Sequence, residues 1–169
     1  MIPNHFNIQK RSLEDYNDTS GVVVVIDVLR AFTTTAFAFD RGAREIQLVA
    51  SVDEAFARRK QDPGCRLMGE VNGLAIDGFD LPNSPANIDR LDLSGQRLVM
   101  RTTAGTQGVV LAAHASELYV ASLSVASATA RRLRAAEGDI VTFIETGRRG
   151  ADGGEEDVAC ADLITGLLT

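Results

Sequence analysis

The sequence predicts an α/β domain, and three observations lead there. Short runs of β-branched and aliphatic residues alternate with stretches whose apolar residues recur at helical spacing. One run, Val22–Ile26, is apolar at every position, the pattern of a strand buried on both faces of a sheet with parallel segments. Polar groups then gather where the runs stop, and open α/β sheets place ligand sites beyond the carboxyl ends of their strands.

Taken in order, Ile2, Phe6 and Ile8 predict a short edge strand, and Asn17-Asp18-Thr19-Ser20-Gly21 a turn before Val22–Ile26. A helix follows over 29–39 and stops at Arg41-Gly42. Residues 45–49 form the next strand. Ser51, with Glu54 three residues on, is a capping box that opens a helix through Arg59, which Asp62-Pro63-Gly64 breaks. Residues 66–68 start another strand. Residues 69–87 are rich in Gly, Asn, Asp and Pro and read as a short hairpin followed by an irregular loop, and loops of that length usually carry function.

Residues 97–100 form a strand, residues 109–113 the apolar side of a helix, and Glu117–Ala121 a further strand. Ser122 or Ser124 caps a helix through Ala136 that Gly138 ends. Residues 140–144 are the last strand. A loop rich in Gly and Arg over 147–154 then leads to Glu155-Glu156-Asp157, acids in the first turn of a final helix, where the macrodipole favours them. The chain reads as one α/β domain over 1–169. It stops at Leu167-Leu168-Thr169, inside that helix, as a fragment or a protein truncated before its last elements would.

Length and composition bound the function. With 169 residues, 45% of them hydrophobic, the chain suffices for one full core. Its apolar runs fall short of the ~18–20 residues of a membrane span. MIPNHFNIQKR lacks the basic-then-apolar layout of a secretory signal, so the expected location is cytoplasmic. A net charge of −6 and a pI near 4.9 argue against a nucleic-acid or anionic-membrane surface. They leave room for a few arginines to converge on one anion. Cys65 and Cys160 match neither a C-x-x-C pair nor a zinc spacing and read as reduced thiols, Cys160 on the apolar side of its helix.

Four clusters carry candidate chemistry. At the end of the first buried run stand Asp27, Arg30 and Thr33-Thr34-Thr35. Asp27 suits a helix N-cap or a ligand site, and an arginine so close to a buried strand end calls for an acidic partner or an anion. Arg101-Thr102-Thr103-Ala104-Gly105-Thr106 sets hydroxyls and a glycine at a helix start, either a plain strand–turn–helix connection or an anion cradle. Gly69-Glu70, with Asp77, Gly78, Asp80, Asn83 and Ser84 behind it, is the third. Glu155-Glu156-Asp157, after a loop holding Arg148 and Arg149, is the fourth. Asp27, Glu70 and Asp157 together suit a hard divalent cation such as Mg²⁺, and Arg30 with the threonine loops suits phosphate, a combination that fits metal-assisted phosphoryl transfer to water. The P-loop, the dinucleotide-binding glycine motif and the G-x-S-x-G elbow are all absent from the sequence, and Leu29 breaks the D-x-D of haloacid-dehalogenase-type phosphatases.

In this order the clusters resemble the 2-phosphosulfolactate phosphatase family, ComB-like in fold. The matching stretches are VVIDVLRAFTTT at 24–35, GE at 69–70, IDGFDLPNSP at 76–85, RTTAGT at 101–106 and EEDVACAD at 155–162. The resemblance implies a three-layer α/β/α fold with a mixed, partly parallel sheet, and a Mg²⁺-dependent phosphatase acting on phosphate esters of small 2-hydroxy carboxylic acids. The family's named reaction converts 2-phospho-3-sulfolactate to 3-sulfolactate on the way to coenzyme M. Carried over residue by residue, it implies catalytic roles for Asp27, Arg30, Glu70 and Asp157. It implies substrate or phosphate contacts for Thr33, Thr34, Asn83, Ser84, Thr102, Thr103, Gly105, Thr106 and Glu156, and metal ligation by Asp27, Glu70 and Asp157.

The sequence departs from the family pattern at Val71, usually arginine, at Pro82, usually glycine, at Ala104, usually asparagine, and near Val125, where an asparagine is usual. These departures motivate a second reading, a catalytically degenerate member that binds a phosphorylated or carboxylate metabolite without turnover. The expected partners are a small phosphorylated hydroxy acid and a second copy in a homodimer, the commonest oligomer, with neither nucleic acid nor membrane.

Overall fold

Burial of a single strand on both faces dictates the architecture. The structure is a computed structural model and describes residues 6–16, 21–137, 140–147 and 153–168; Ile2, the turn at 17–20, Gly138, Arg148 and Arg149 lie outside the described residues. β1 (Asn7–Ser12) is followed by β2 (Val22–Ile26), whose five residues are all buried. Then come α1 (Ala31–Asp40), β3 (Glu45–Leu48), α2 (Val52–Gln61), β4 (Arg66–Gly69), β5 (Leu81–Pro82) and α3 (Pro85–Ile88). β6 (Arg97–Arg101), α4 (Gly105–Leu111), β7 (Glu117–Ala121), α5 (Ala126–Leu133), β8 (Ile140–Glu145) and α6 (Glu155–Leu168) complete it.

The strands form two four-stranded sheets, ordered β1-β8-β2-β7 and β3-β6-β4-β5. β2 pairs in parallel with β8 and β7, so Ile26 stands beside Glu145 and Ala121, and all three strands end at one edge. Alternation along β2 splits the core in two. Val22, Val24 and Ile26 pack with Ala126, Ala130 and Leu133 of α5 and Cys160, Ala161 and Ile164 of α6. Val23 and Val25 face the other way, into a cluster with Phe32 and Ala38 of α1 and with Met68, Leu98 and Met100 of the second sheet. The second sheet turns Leu67 and Val99 outward, against Ala55 of α2. Helices thus cover both faces of the first sheet, the three-layer α/β/α arrangement. Each fully buried Val or Ile contributes about 1.5–3 kcal/mol, so β2 is a large share of what holds the layers together.

The pairing is more uniform than a mixed sheet. Every ladder in both sheets is parallel, and antiparallel pairing among the described residues is confined to the isolated Val71–Leu74 bridge. That bridge is the short hairpin expected after β4. The loop behind it has more structure than its composition suggests. Pro82 is tolerated because β5 lies at the sheet edge, and Pro85 takes the first helical position of α3, where its missing N–H costs nothing.

Ser51 accepts the Glu54 N–H at 3.1 Å, and Glu54 Oε2 reaches back to the Ala50 amide. Ser122 and Ser124 bond each other at 2.7 Å rather than capping, and a 3₁₀ turn at Leu123–Val125 delays α5.

α4 lies against β2 so closely that a Cβ at Gly108 falls 2.6 Å from Val25 Cγ1 and 3.0 Å from Thr146 Cγ2. Gly108→Ala is therefore expected to destabilise the fold by about 1–3 kcal/mol through overpacking, despite alanine's better helix propensity. A urea titration checks this; an unchanged midpoint would mean that α4 can move away freely.

Candidate active site

The parallel ladders deliver the ends of β2, β4 and β6 to one region, and a cleft of about 220 Å³ opens there. Its walls carry Asp27 and Arg30 after β2, Glu70 and Asn83 from the β4–α3 segment, and Thr103 after β6. Five of the residues expected in a site are thus brought together.

Asp27 is 7% exposed. Its Oδ1 accepts the Ala31 N–H at 3.0 Å, which ties it to the first turn of α1. Burial pushes its pKa up and the nearby Glu70 charge adds to that, while hydrogen bonds from the Ala31 and Gly105 amides and the Thr146 hydroxyl pull it down. Gly105 is needed for this approach, since a Cβ there would lie 2.7 Å from Asp27 Oδ2 and 2.8 Å from Ala31 Cβ. Arg30 is the N-cap residue of α1, and the Leu29–Arg30 peptide before it is cis. Its guanidinium is exposed and forms no ion pair among the described residues.

Glu70 is 8% exposed and is held by backbone donors from two segments. Oε1 accepts the Thr103 N–H at 2.6 Å. Oε2 accepts the Gly73 N–H at 2.5 Å and the Thr103 hydroxyl at 3.1 Å. Thr103 Oγ1 in turn accepts the Asn72 N–H at 2.6 Å, clasping the hairpin to the start of α4. Arg101 Nη1 donates to the Glu70 carbonyl at 3.1 Å. Asn83 is buried, and its Oδ1 has no hydrogen-bond partner among the described residues.

The other expected residues serve the walls from behind. The Thr33 and Thr34 hydroxyls donate to the Val28 and Arg30 carbonyls at 2.7 and 2.9 Å. Thr102 and Thr106 bond each other reciprocally: each hydroxyl accepts the other's amide, and the Thr106 hydroxyl also donates to the Thr102 carbonyl. Ser84 is the N-cap residue of α3 but makes no side-chain cap bond. Glu156 sits half-buried in the first turn of α6, beside Asp157.

Asp157 is 1% exposed and does not line the cleft. Its Oδ1 accepts the Val28 N–H and its Oδ2 the Gly147 N–H, both at 2.8 Å. The three carboxylates expected as metal ligands are therefore not preassembled. Asp27 and Glu70 share the cleft, Asp157 is turned to backbone amides, and no group of three or more His, Cys, Asp or Glu among the described residues is placed to hold a metal ion. Cys65 and Cys160 are both buried and free, and burial, with the Asp157 charge, pushes the Cys160 thiol up to about 12, an inert core thiol.

Leu29, Asn72, Gly73 and Ala104 also line the cleft and were not expected as contacts. The Asn72-Gly73 pair had a signal, since both residues take the positive φ, 51° and 80°, that Asn-Gly turns supply. Ala104 is the N-cap residue of α4 and brings only a methyl group.

A profile of the 2-phosphosulpholactate phosphatase family matches residues 7–169. A Bacillus subtilis protein named probable 2-phosphosulfolactate phosphatase is 38% identical over 147 residues, 86% of this chain and 63% of its own length. Proteins of the same name from Deinococcus radiodurans (38% identity, 87% of this chain, 61% of theirs) and Clostridium perfringens strain SM101 (36%, 91% and 65%) are also similar. The chain thus spans a little under two thirds of the length of these relatives.

The buried acids set a pH dependence of stability. Burial first, and the Asp27 and Glu156 charges after it, raise the Asp157 pKa from 3.8 to about 6. Between those values the folded state binds more protons than the unfolded one, so this group's contribution is full below pH 3.8 and is lost as pH rises through about 6. In metal-free protein, thermal stability is expected to fall across that window, and Asp157→Asn is expected to flatten the slope. A series of melts against pH reads it, and an equal slope in both proteins would refute the assignment.

Proposed function

Because the chain belongs to the 2-phosphosulpholactate phosphatase family, we propose that it hydrolyses phosphate monoesters of small 2-hydroxy carboxylic acids in the cleft between Asp27 and Glu70, with Mg²⁺ as cofactor. The observation that carries this reading is the meeting, in one cleft, of an exposed guanidinium with no ion pair, two buried carboxylates and a buried amide oxygen with no hydrogen-bond partner, both absences among the described residues.

The donor set fits the ion. Asp27, Glu70 and Asn83 Oδ1 supply hard oxygens, and Mg²⁺ is commonly held by one or two carboxylates, with water and substrate phosphate completing its shell. Charge balance points the same way. Two carboxylates against one guanidinium leave the cleft net negative, so a phosphate ester needs an added cation to enter. Such an ion, held by those oxygens, would supply Lewis acidity toward the phosphoryl group.

The remaining work falls to the chain. Arg30, with its fork of donors, pairs with the phosphate and offsets the charge that develops on it. Asp27 and Glu70 are held in place by backbone amides, so little reorganisation is needed as charge builds. Leu29, 70% exposed on the rim, offers an apolar surface to the carbon skeleton of the substrate. The reading extends to a cytoplasmic homodimer, supported by the two free thiols and the commonness of two-fold oligomers. One observation favours the second reading, binding without turnover: Ala104 places a methyl on the cleft wall at the start of α4, where a polar side chain would add a donor.

Phosphate release from a panel of 2-hydroxy-acid phosphate esters, with Mg²⁺ and with EDTA, separates the two. Mg²⁺-dependent release is expected, falling at least ~100-fold in Asp27→Asn, with kcat/KM falling ~10–100-fold in Arg30→Ala as a charged hydrogen bond is lost. No release from any ester, from a protein that binds inorganic phosphate by calorimetry, would leave the binding reading.

A further inference from the structure

We propose that Asp157 is a positioning residue for the reaction proposed above, an inference that rests on that reading. It acts through the Asp27–Arg30 turn rather than by touching metal or substrate. The carboxylate is 1% exposed and lies outside the cleft lining, yet it joins two segments far apart in sequence.

One of its oxygens takes the Val28 N–H and the other the Gly147 N–H, both at 2.8 Å. Val28 follows Asp27 directly. The Val28 carbonyl is held in turn by the Thr33 hydroxyl at 2.7 Å, so both polar backbone groups of that residue are fixed by side chains. Gly147 follows Thr146, whose amide and hydroxyl both donate to the Ile26 carbonyl, at 3.1 and 2.9 Å, beside the Asp27 carboxylate whose pKa Thr146 helps to lower. The two segments that Asp157 ties together are therefore the two that meet at the Asp27 carboxylate.

The fit is close, since a Cβ on Gly147 would fall 3.1 Å from Asp157 Oδ2. The anchor is firm: Asp157 stands in the first turn of α6, and Cys160, Ala161 and Ile164 fix that helix in the core. A carboxylate is the side chain for the task, because it accepts on both oxygens where an asparagine accepts on only one. Loss of one bond lets the turn rotate, and Asp27 and Arg30 move with it.

The test compares Asp157→Asn with the parent, with Thr33→Val as a second variant that releases the same peptide from its other side. Three quantities are read: Mg²⁺ and inorganic-phosphate affinity by calorimetry, kcat and KM on the best ester, and the amide resonances of Val28 and Gly147. In Asp157→Asn the expected result is kcat down ~10–100-fold, a shifted Val28 or Gly147 amide, and losses of Mg²⁺ and inorganic-phosphate affinity that accompany that shift, because Asp27 and Arg30 move with the turn. Thr33→Val is expected to move kcat the same way by a smaller factor. A tenfold loss of Mg²⁺ affinity with both amides unmoved would make Asp157 a direct ligand and overturn the proposal, as would unchanged kcat in an active protein. Absence of turnover in the parent removes the phosphatase reading instead. Phosphate affinity then decides: a drop of ~10-fold in Asp157→Asn supports positioning, and no drop ends it.

Discussion

A buried carboxylate must find donors, and here the donors are backbone amides at the ends of parallel strands. Asp27, Glu70 and Asp157 each stand just past a strand or at a helix start, each is almost fully buried, and each accepts N–H groups from a different segment. An unpaired charge in such a place would cost several kcal/mol. The need for amide donors therefore dictates which loops come together. Asp27 draws in α1 and the start of α4, Glu70 the hairpin and the β6–α4 connection, and Asp157 the β2 turn and the segment after β8. The cleft is what remains where these three arrangements meet.

The same device explains how an acidic chain can hold an anion site. The carboxylates are fixed in place by neutral donors, so the exposed guanidinium of Arg30 is not drawn into an internal ion pair with them. Thr102 and Thr106 saturate each other, and Thr33 and Thr34 are spent on nearby carbonyls. The threonine-rich stretches thus stiffen the walls, and the open chemistry is left to a few groups: Arg30, Asn83 and the remaining lone pairs of two acids.

Much of the fold was legible because its signals are local. Five consecutive buried positions at Val22–Ile26, the Ser51–Glu54 cap and the acids opening α6 each follow from residue type and spacing. Glu70 and Thr103 could be nominated from motif order. What escaped was direction. A hydroxyl or carboxylate at a strand end can face the cleft or turn back to the chain, and nothing local decides between them. Thr33, Thr34, Thr102 and Asp157 turned back because backbone groups lay within reach, an outcome of tertiary packing. The division into two sheets was hidden for a similar reason, since short apolar strands carry no mark of which neighbour they pair with. A short hairpin at the start of residues 69–87 is legible from composition, but the place of its Asn72-Gly73 turn on the cleft wall depends on the clasp from Thr103.

The glycines of α4 have a consequence for how the site comes into being. A seven-residue helix with glycine at positions 105 and 108 has little tendency to form alone, each glycine weakening it by about 1 kcal/mol against alanine. Its order is borrowed from β2, against which Gly108 presses, and from the Asp27–Ala31 turn, against which Gly105 presses. The Thr102–Thr106 loop is thus shaped only once the central strand is seated between its neighbours. Recognition and stability thus depend on the same strand, and loss of β2 would take the cleft together with the two core clusters it divides.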